Sequence, residues 1–253
     1  MSTDATRPRE AEARSEELVL ELAGDLDMAA APGFEVRLRD GLGREPHRLL
    51  IDLSGVTFVD STGIRLLLRA NERCRELGVE LAVTRPSDGV WRVLERFRLE
   101  TRLPFVAVDA VPVTEPVPTA PAVAGGGARD LRLELPADPH APALARQAAA
   151  EATADLPEEV RDAALLLVSE VVTNAVRHGC TSPDDRVRMT VGREGRSIRF
   201  EVEDPGPGVP VRRPGNTERL VRESGWGLVM LERLASRWGI ERDPSRVWFE
   251  LSS

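Results

Sequence analysis

Hydrophobic and polar positions in the first part of the chain follow two different periods. Short runs of apolar or alternating residues predict buried strands, and apolar residues three or four apart predict helices. The predicted strands are Leu18–Leu22, Arg48–Leu53, Val56–Val59, Val79–Thr84 and Phe105–Val108. The predicted helices run from Pro32 to Leu42, from Asp60 through Cys74, and from Ser87 to Phe97. Strands that alternate with helices in this way predict an α/β domain.

The last part of the chain has the same mixture of periods. Its predicted strands are 131–135, Arg186–Val191, Ile198–Val202 and Val247–Leu251, with the turn GREG between the second and third. Its predicted helices are His140–Asp155, a central helix within Pro157–Gly179, and Leu228–Trp238. We therefore expect a second α/β domain in this part of the chain.

The segment between these parts has no hydrophobic period. Val111–Arg129 contains four prolines and a GGG run, which predicts a linker. The polar, mixed-charge N-terminus predicts disorder. The expected organisation is a disordered segment at 1–16, a domain at 17–109, a linker at 110–129 and a domain at 130–253. A chain of 253 residues is long enough for two small domains, each with its own core.

Composition narrows the possible functions. The chain has 42 acidic and 34 basic residues and a net charge of −8, which argues against direct nucleic-acid binding. Cys74 and Cys180 are isolated and fit a reducing compartment, so we expect a cytoplasmic protein. Three histidines far apart do not suggest a zinc site. No apolar run approaches the roughly 20 residues of a membrane span, so no membrane association is expected.

The stretch Leu165–Gly179, LLLVSEVVTNAVRHG, predicts one helix that is apolar over most of its surface. Glu170, Asn174 and His178 are four residues apart and therefore share one face. A carboxylate and an amide among apolar residues cost free energy unless something pairs with them. The partner could be magnesium, water or a phosphate. Alternatively, these residues form a half-solvated polar edge.

Two glycine motifs follow this helix. Val202–Pro210 contains D-x-G-x-G after a predicted strand, and Glu223–Leu231 contains G-x-G directly before a predicted helix. Glycine lets backbone N–H groups approach a ligand, and a helix N-terminus favours phosphate. In the order E-x-x-x-N, D-x-G-x-G, G-x-G, these segments resemble the N, G1 and G2 boxes of the ATP-binding fold of gyrase, histidine kinases and anti-sigma-factor serine kinases. The resemblance covers about Leu131–Leu251.

This resemblance implies an α/β sandwich of the histidine-kinase-like ATPase (Bergerat) fold that binds ATP and Mg²⁺. Glu170 matches the general base, Asn174 the magnesium ligand, and Asp204 the acceptor of a hydrogen bond from adenine. The other residues expected around the nucleotide are Gly206, Gly208, Gly225, Gly227 and Leu228. Asp204 could instead only cap the turn at Pro205. His178 is expected to cap or pack at the helix end rather than act in catalysis.

The first domain carries two further motifs, GDLD with Asp25 and Asp27, and the segment Asp60-Ser61-Thr62-Gly63. These motifs resemble the STAS fold of anti-sigma-factor antagonists. In that family the first serine of D-S-[ST]-G accepts phosphate, and it maps to Ser61. A hydroxyl at a helix N-terminus is expected to be exposed, where free N–H groups can stabilise an added phosphate. Ser61 could instead serve only as an N-cap, and one hydroxyl can fill both roles.

The two resemblances together imply a fused partner-switching regulator of transcription. Its C-terminal domain would be an ATP-dependent protein serine kinase and anti-sigma factor, and its STAS domain would be the antagonist, with Ser61 as phospho-acceptor. The implied partners are a sigma factor, separate STAS-type anti-anti-sigma proteins, or the chain's own STAS domain in cis or trans. A homodimer is also possible. Two alternatives stay open: a non-catalytic nucleotide-binding interaction module, and a kinase that acts on a separate STAS protein.

Overall fold

The computed structural model describes residues 17–106, 131–207 and 226–252. The predicted disordered N-terminus, the predicted linker, Gly208 and Gly225 lie outside these ranges. No helix among the described residues is long and apolar enough to cross a membrane.

The described residues form two compact units. The first contains residues 17–26, 30–58 and 64–106. The second contains residues 27–29 and 59–63 together with the described residues from 131 onward. Both units mix helices and sheets, which confirms the predicted α/β class.

The first unit is built on a four-stranded sheet with the strand order β1-β2-β3-β4. Its strands are β1 (Glu17–Leu26), β2 (Arg48–Val59), β3 (Glu80–Thr84) and β4 (Phe105–Val106). Its helices are α1 (Ala31–Leu42), α2 (Ser61–Leu77) and α3 (Asp88–Arg96), and the first residues of α2 belong to the second unit. β3 runs parallel to both β2 and β4, so a helix connects each parallel pair.

Strand β2 is one continuous strand, whereas the sequence predicted two separate strands, Arg48–Leu53 and Val56–Val59. It continues through Ser54 and Gly55, which the sequence had suggested as a break. A Cβ at Gly55 would lie 3.0 Å from the Leu22 carbonyl oxygen, so glycine allows the two backbones to approach. The core side chains of this unit are fully buried, among them Leu49, Ile51, Leu53, Ile64, Leu67 and Leu94.

The second unit contains a five-stranded antiparallel sheet with the order β5-β6-β7-β9-β8. The strands are β5 (Leu131–Pro136), β6 (Arg186–Glu194), β7 (Ser197–Glu203), β8 (Arg237–Arg242) and β9 (Ser245–Ser252). Helices α4 (Ala141–Ala152), α5 (Glu158–Asn174) and α6 (Trp226–Leu234) pack together, and α4 and α5 also contact the sheet. Phe200 and Phe249 stack in the core with ring centroids 5.0 Å apart.

The central helix ends earlier than predicted. α5 is α-helical only to Asn174, and a π-helical turn follows at Ala175–Gly179. The backbone N–H of Cys180 donates to the carbonyl of Ala175 at 3.1 Å and closes this turn. π-Helical turns inside helices often occur at functional sites.

Two predictions near the C-terminal sheet were also wrong. The last predicted helix ends at Leu234, and Trp238 lies in β8, a strand we did not predict. Trp238 is paired with Phe249 of β9, and this pairing overrides the helical spacing. The β6–β7 turn is shorter than GREG, because Gly192–Glu194 are part of β6 and the turn begins at Gly195, with φ +61°.

Candidate active site

Glu170 on α5 is buried, and both of its carboxylate oxygens accept hydrogen bonds from Ser61. The Ser61 backbone N–H donates to Oε1 at 2.7 Å, and the Ser61 hydroxyl donates to Oε2 at 2.7 Å. Both residues belong to the second unit. A hydroxyl within hydrogen-bond reach of a carboxylate is the arrangement that general-base catalysis requires.

Asp60 holds Ser61 at the first residue of α2. Its Oδ1 accepts hydrogen bonds from the backbone N–H groups of Thr62 at 2.8 Å and Gly63 at 3.1 Å. Asp60 therefore caps the helix, and the hydroxyl of Ser61 is directed to Glu170 instead. Ser61 is only 3% exposed, so the expectation of an exposed hydroxyl was wrong.

A buried polar chain continues from Asp60 through Ser169 to α4. The Ser169 hydroxyl donates to Asp60 Oδ2 at 3.0 Å and accepts from Arg146 Nη1 at 2.8 Å. Arg146 Nη2 forms an ion pair with Asp27 Oδ2 at 2.6 Å. Burial raises the pKa of Asp60, while the hydrogen bonds from Gly63 and Ser169 partly oppose this rise.

Asn174 lies one helical turn beyond Glu170 and is half-buried. Its side-chain amide makes no hydrogen bond within the described part of the chain. A Cβ at Gly227, the second residue of α6, would lie 2.9 Å from Asn174 Nδ2 and 3.2 Å from Glu170 Oε2. The N-terminus of α6 therefore lies against the polar edge of α5, and Leu228 follows there, half-buried.

Asp204 follows β7 at the predicted D-x-G-x-G turn and is buried. Its Oδ1 accepts a hydrogen bond from the Gly206 N–H at 2.9 Å, and its Oδ2 accepts one from the Ser245 hydroxyl at 3.1 Å. A Cβ at Gly179 would overlap the Asp204 carboxylate, so the π-helical turn approaches this side chain closely. The turn-capping contact that we considered as an alternative is present. Each carboxylate oxygen can still accept another hydrogen bond.

The structure thus brings Ser61, Glu170, Asn174 and Gly227 together, and separately Asp204 with Gly206. His178 is exposed within the π-helical turn. Gly208 and Gly225 lie outside the described residues.

Sequence reasoning did not identify Ser169 and Arg146 as parts of this site. Arg146 had a usable signal, because it is the only charged residue among the alanines in the middle of α4. A buried arginine is rare unless it is paired. Ser169 gave no such signal, since a serine inside a helix is common.

The side chain of Asn174 and the backbone at Gly227 are groups that suit a nucleotide with magnesium. The amide of Asn174 lacks a protein partner in the described part of the chain, and the backbone of Gly227 at the start of α6 lies close beside it. The described residues contain no group of three or more histidines, cysteines or acidic residues that could hold a metal ion. The side-chain carbonyl oxygen of Asn174 is a hard donor of the kind that Mg²⁺ accepts alongside water and phosphate oxygens.

Comparison with known families identifies both halves of the chain. Residues 10–107 match the family described as "Mlab, STAS domain", and residues 135–251 match the histidine kinase-like ATPase domain. The N-terminal half of the chain thus contains a match to a STAS domain, and the C-terminal half contains a match to a histidine kinase-like ATPase domain. This pair of domains fits partner-switching regulation. The ATPase domain implies ATP binding, and the STAS domain implies interaction with partner-switching proteins.

Individual relatives match only part of the chain. An uncharacterized protein of Streptomyces coelicolor is 37% identical over 79 residues, which is 31% of this chain and 73% of that protein. The solved structure of the anti-sigma factor antagonist SpoIIAA in its unphosphorylated form matches with 20% identity and a TM-score of 0.33, covering 39% of this chain and 84% of that one. A sulfate transporter family protein from Wolinella succinogenes matches with 24% identity and a TM-score of 0.32, covering 37% and 79%.

Proposed function

We propose that this protein is a partner-switching regulator whose ATP-dependent serine kinase domain phosphorylates Ser61 of the same chain. The observation that carries the proposal is the hydrogen bond from the Ser61 hydroxyl to Glu170 Oε2 at 2.7 Å. This contact joins the serine of the D-S-T-G motif to the carboxylate of the E-x-x-x-N motif, although the two are 109 residues apart.

Glu170 acts as the general base. It accepts the hydroxyl proton of Ser61 as the serine oxygen bonds to the γ-phosphorus of ATP, and ADP leaves with the electrons of the broken β,γ-bridging bond. Glu170 Oε1 meanwhile holds the Ser61 backbone N–H, which fixes the position of the attacking oxygen. Mg²⁺ supplies neutralisation of the phosphate charge when it is bound.

The nucleotide is held by the residues that the sequence singled out. Asn174 supplies the magnesium ligand and Asp204 the acceptor for the adenine amino group. Gly206, Gly227 and Leu228 would lie beside the base and the phosphates, where glycine permits close approach. The two other expected residues, Gly208 and Gly225, lie outside the described residues.

Phosphorylation of Ser61 then breaks the hydrogen bond between Ser61 and Glu170. A phosphate adds about −1.5 to −2 charges, and Ser61 is buried beside the carboxylates of Glu170 and Asp60. A buried anion beside two other anions is strongly disfavoured. The phosphorylated segment must therefore leave Glu170, which makes the kinase surface available to a sigma factor or another STAS protein.

Incubation of the full-length protein with labelled ATP and Mg²⁺ tests this proposal. We expect label on the wild type and none on Ser61→Ala. Absence of label on a folded wild-type sample, or undiminished label on Ser61→Ala, would exclude Ser61 as the acceptor. Nucleotide binding without any transfer would favour the non-catalytic interaction module.

A further inference from the structure

Two serine–carboxylate pairs exchange hydrogen bonds in the second unit. Asp60-Ser61 and Ser169-Glu170 are each adjacent in sequence, and each serine donates to the carboxylate of the other pair. Ser61 Oγ donates to Glu170, and Ser169 Oγ donates to Asp60 Oδ2 at 3.0 Å. The reaction proposed above uses only the first of these two contacts.

The hydroxyl of Ser169 is held in one orientation by its own partners. It accepts from Arg146 Nη1 at 2.8 Å, so its proton points to Asp60. Arg146 is anchored in turn by its ion pair with Asp27. Ser169 is completely buried, and no solvent reaches it to replace a lost hydrogen bond.

Asp60 transmits this constraint to the acceptor. Its Oδ1 caps α2 at Thr62 and Gly63, and its Oδ2 is the atom that Ser169 binds. Ser61 directly follows Asp60, so a rotation of the Asp60 carboxylate shifts the start of α2 and moves Ser61 Oγ away from Glu170.

We propose that Ser169 is a positioning residue, whose hydroxyl orients Asp60 so that Ser61 Oγ faces Glu170 Oε2. This inference rests on the proposed phosphorylation of Ser61. Ser169 touches neither the reacting oxygen nor its base, and it acts through Asp60. Ser169 belongs to none of the sequence motifs described above, yet its hydroxyl group thereby affects the rate of phosphoryl transfer to Ser61.

The test compares full-length Ser169→Ala with the wild type under saturating ATP and Mg²⁺, and follows phosphate on Ser61 by mass spectrometry. Loss of a hydrogen bond to a buried charged group predicts transfer roughly 10- to 100-fold slower, with nucleotide affinity unchanged. Thr153→Val is the matched control. It removes another buried hydroxyl of the same unit, which donates to the Ala149 carbonyl at 2.7 Å, and its transfer rate should equal that of the wild type.

A double-mutant cycle with Asp60→Asn distinguishes positioning from general destabilisation. If Ser169 acts through Asp60, Ser169→Ala slows transfer less than about twofold in the Asp60→Asn background. An equal loss in both backgrounds, or transfer by Ser169→Ala at the wild-type rate, would overturn the inference while leaving the kinase intact. A wild type that does not phosphorylate Ser61 would overturn the proposed function, and this inference with it.

Discussion

One serine binds both oxygens of one buried carboxylate, and the proposed phosphoryl transfer depends on that contact. Ser61 binds Glu170 through its backbone N–H and its hydroxyl, each at 2.7 Å. In the proposed reaction the first bond positions the serine and the second provides the path for its proton.

Glu170→Gln tests the role of the carboxylate as a base. Glutamine keeps the size of the side chain but cannot accept the proton, so we expect Ser61 phosphorylation to fall at least about 100-fold. Nucleotide affinity, measured by calorimetry, should remain. Glu232→Gln, at an exposed position of α6, is the control and should transfer at the wild-type rate. A fully active Glu170→Gln variant would rule out the general base.

The buried carboxyl of Asp60 predicts how stability varies with pH. Burial raises its pKa above the ordinary value of 3.8, so the folded chain binds this proton more tightly than the unfolded chain. Its contribution to stability is therefore complete below 3.8 and is lost as the pH rises through the raised pKa. Asp60→Asn lacks this titration. In urea unfolding, the stability of the wild type minus that of Asp60→Asn should decrease as the pH rises from below 3.8. A difference independent of pH would contradict the raised pKa.

Among the secondary-structure elements, glycines fix how closely helices and turns approach the site. Gly227 lets the N-terminus of α6 lie against Glu170 and Asn174, and Gly179 lets the π-helical turn lie against Asp204. Each approach leaves no room for a side chain. These two contacts place the backbone next to the proposed phosphate and adenine subsites.

Gly227→Ala should disturb the phosphate side of the site. Its methyl group would press on Asn174 Nδ2 and Glu170 Oε2, so we expect about tenfold weaker Mg²⁺–ATP binding together with slower transfer. Gly33→Ala is the matched control, because nothing lies within 4 Å of a Cβ at that position of α1. It should be neutral or stabilise the protein by up to about 1 kcal/mol. Unchanged ATP affinity in Gly227→Ala would show that the N-terminus of α6 does not contribute to phosphate binding.

Gly179→Ala should disturb the adenine side. The added methyl group would displace the Asp204 carboxylate, so adenine nucleotides should bind at least about tenfold more weakly. Asp204→Ala should show a similar loss in the same calorimetric titration. If Gly179→Ala binds ATP as the wild type does, Asp204 does not recognise adenine.

Local hydrophobic periodicity predicted most helices and strands, because the apolar face of each is formed by residues close together in sequence. The pair Glu170 and Asn174 was recognisable from its spacing of four along a helix. Strand β8 was missed because its pairing with β9 is a tertiary contact, which overrides the helical spacing around Trp238. In the π-helical turn, Gly179 lies close against Asp204, which is a contact between residues far apart in sequence that no local pattern contains. The same holds for Ser169, whose partners Asp60 and Arg146 are 109 and 23 residues away.

In the chain as a whole, the proposed acceptor and the proposed base are present in a single polypeptide. A STAS domain and a histidine kinase-like ATPase domain share this chain, and the segment 59–63 lies in the compact unit that contains Glu170. Transfer within one chain has a rate constant that does not depend on protein concentration. In the proposed switch the reaction should also stop at one phosphate per chain, because the phosphorylated serine would leave Glu170.

A time course of intact mass with peptide mapping, at protein concentrations spanning about 100-fold, tests the central claim most directly. Our account predicts a single phosphate on Ser61, formed with the same first-order rate constant at every concentration and absent from Ser61→Ala. A rate constant that rises with protein concentration would show transfer between chains. Phosphate on another residue, or none at all on a folded protein with bound ATP, would contradict the account.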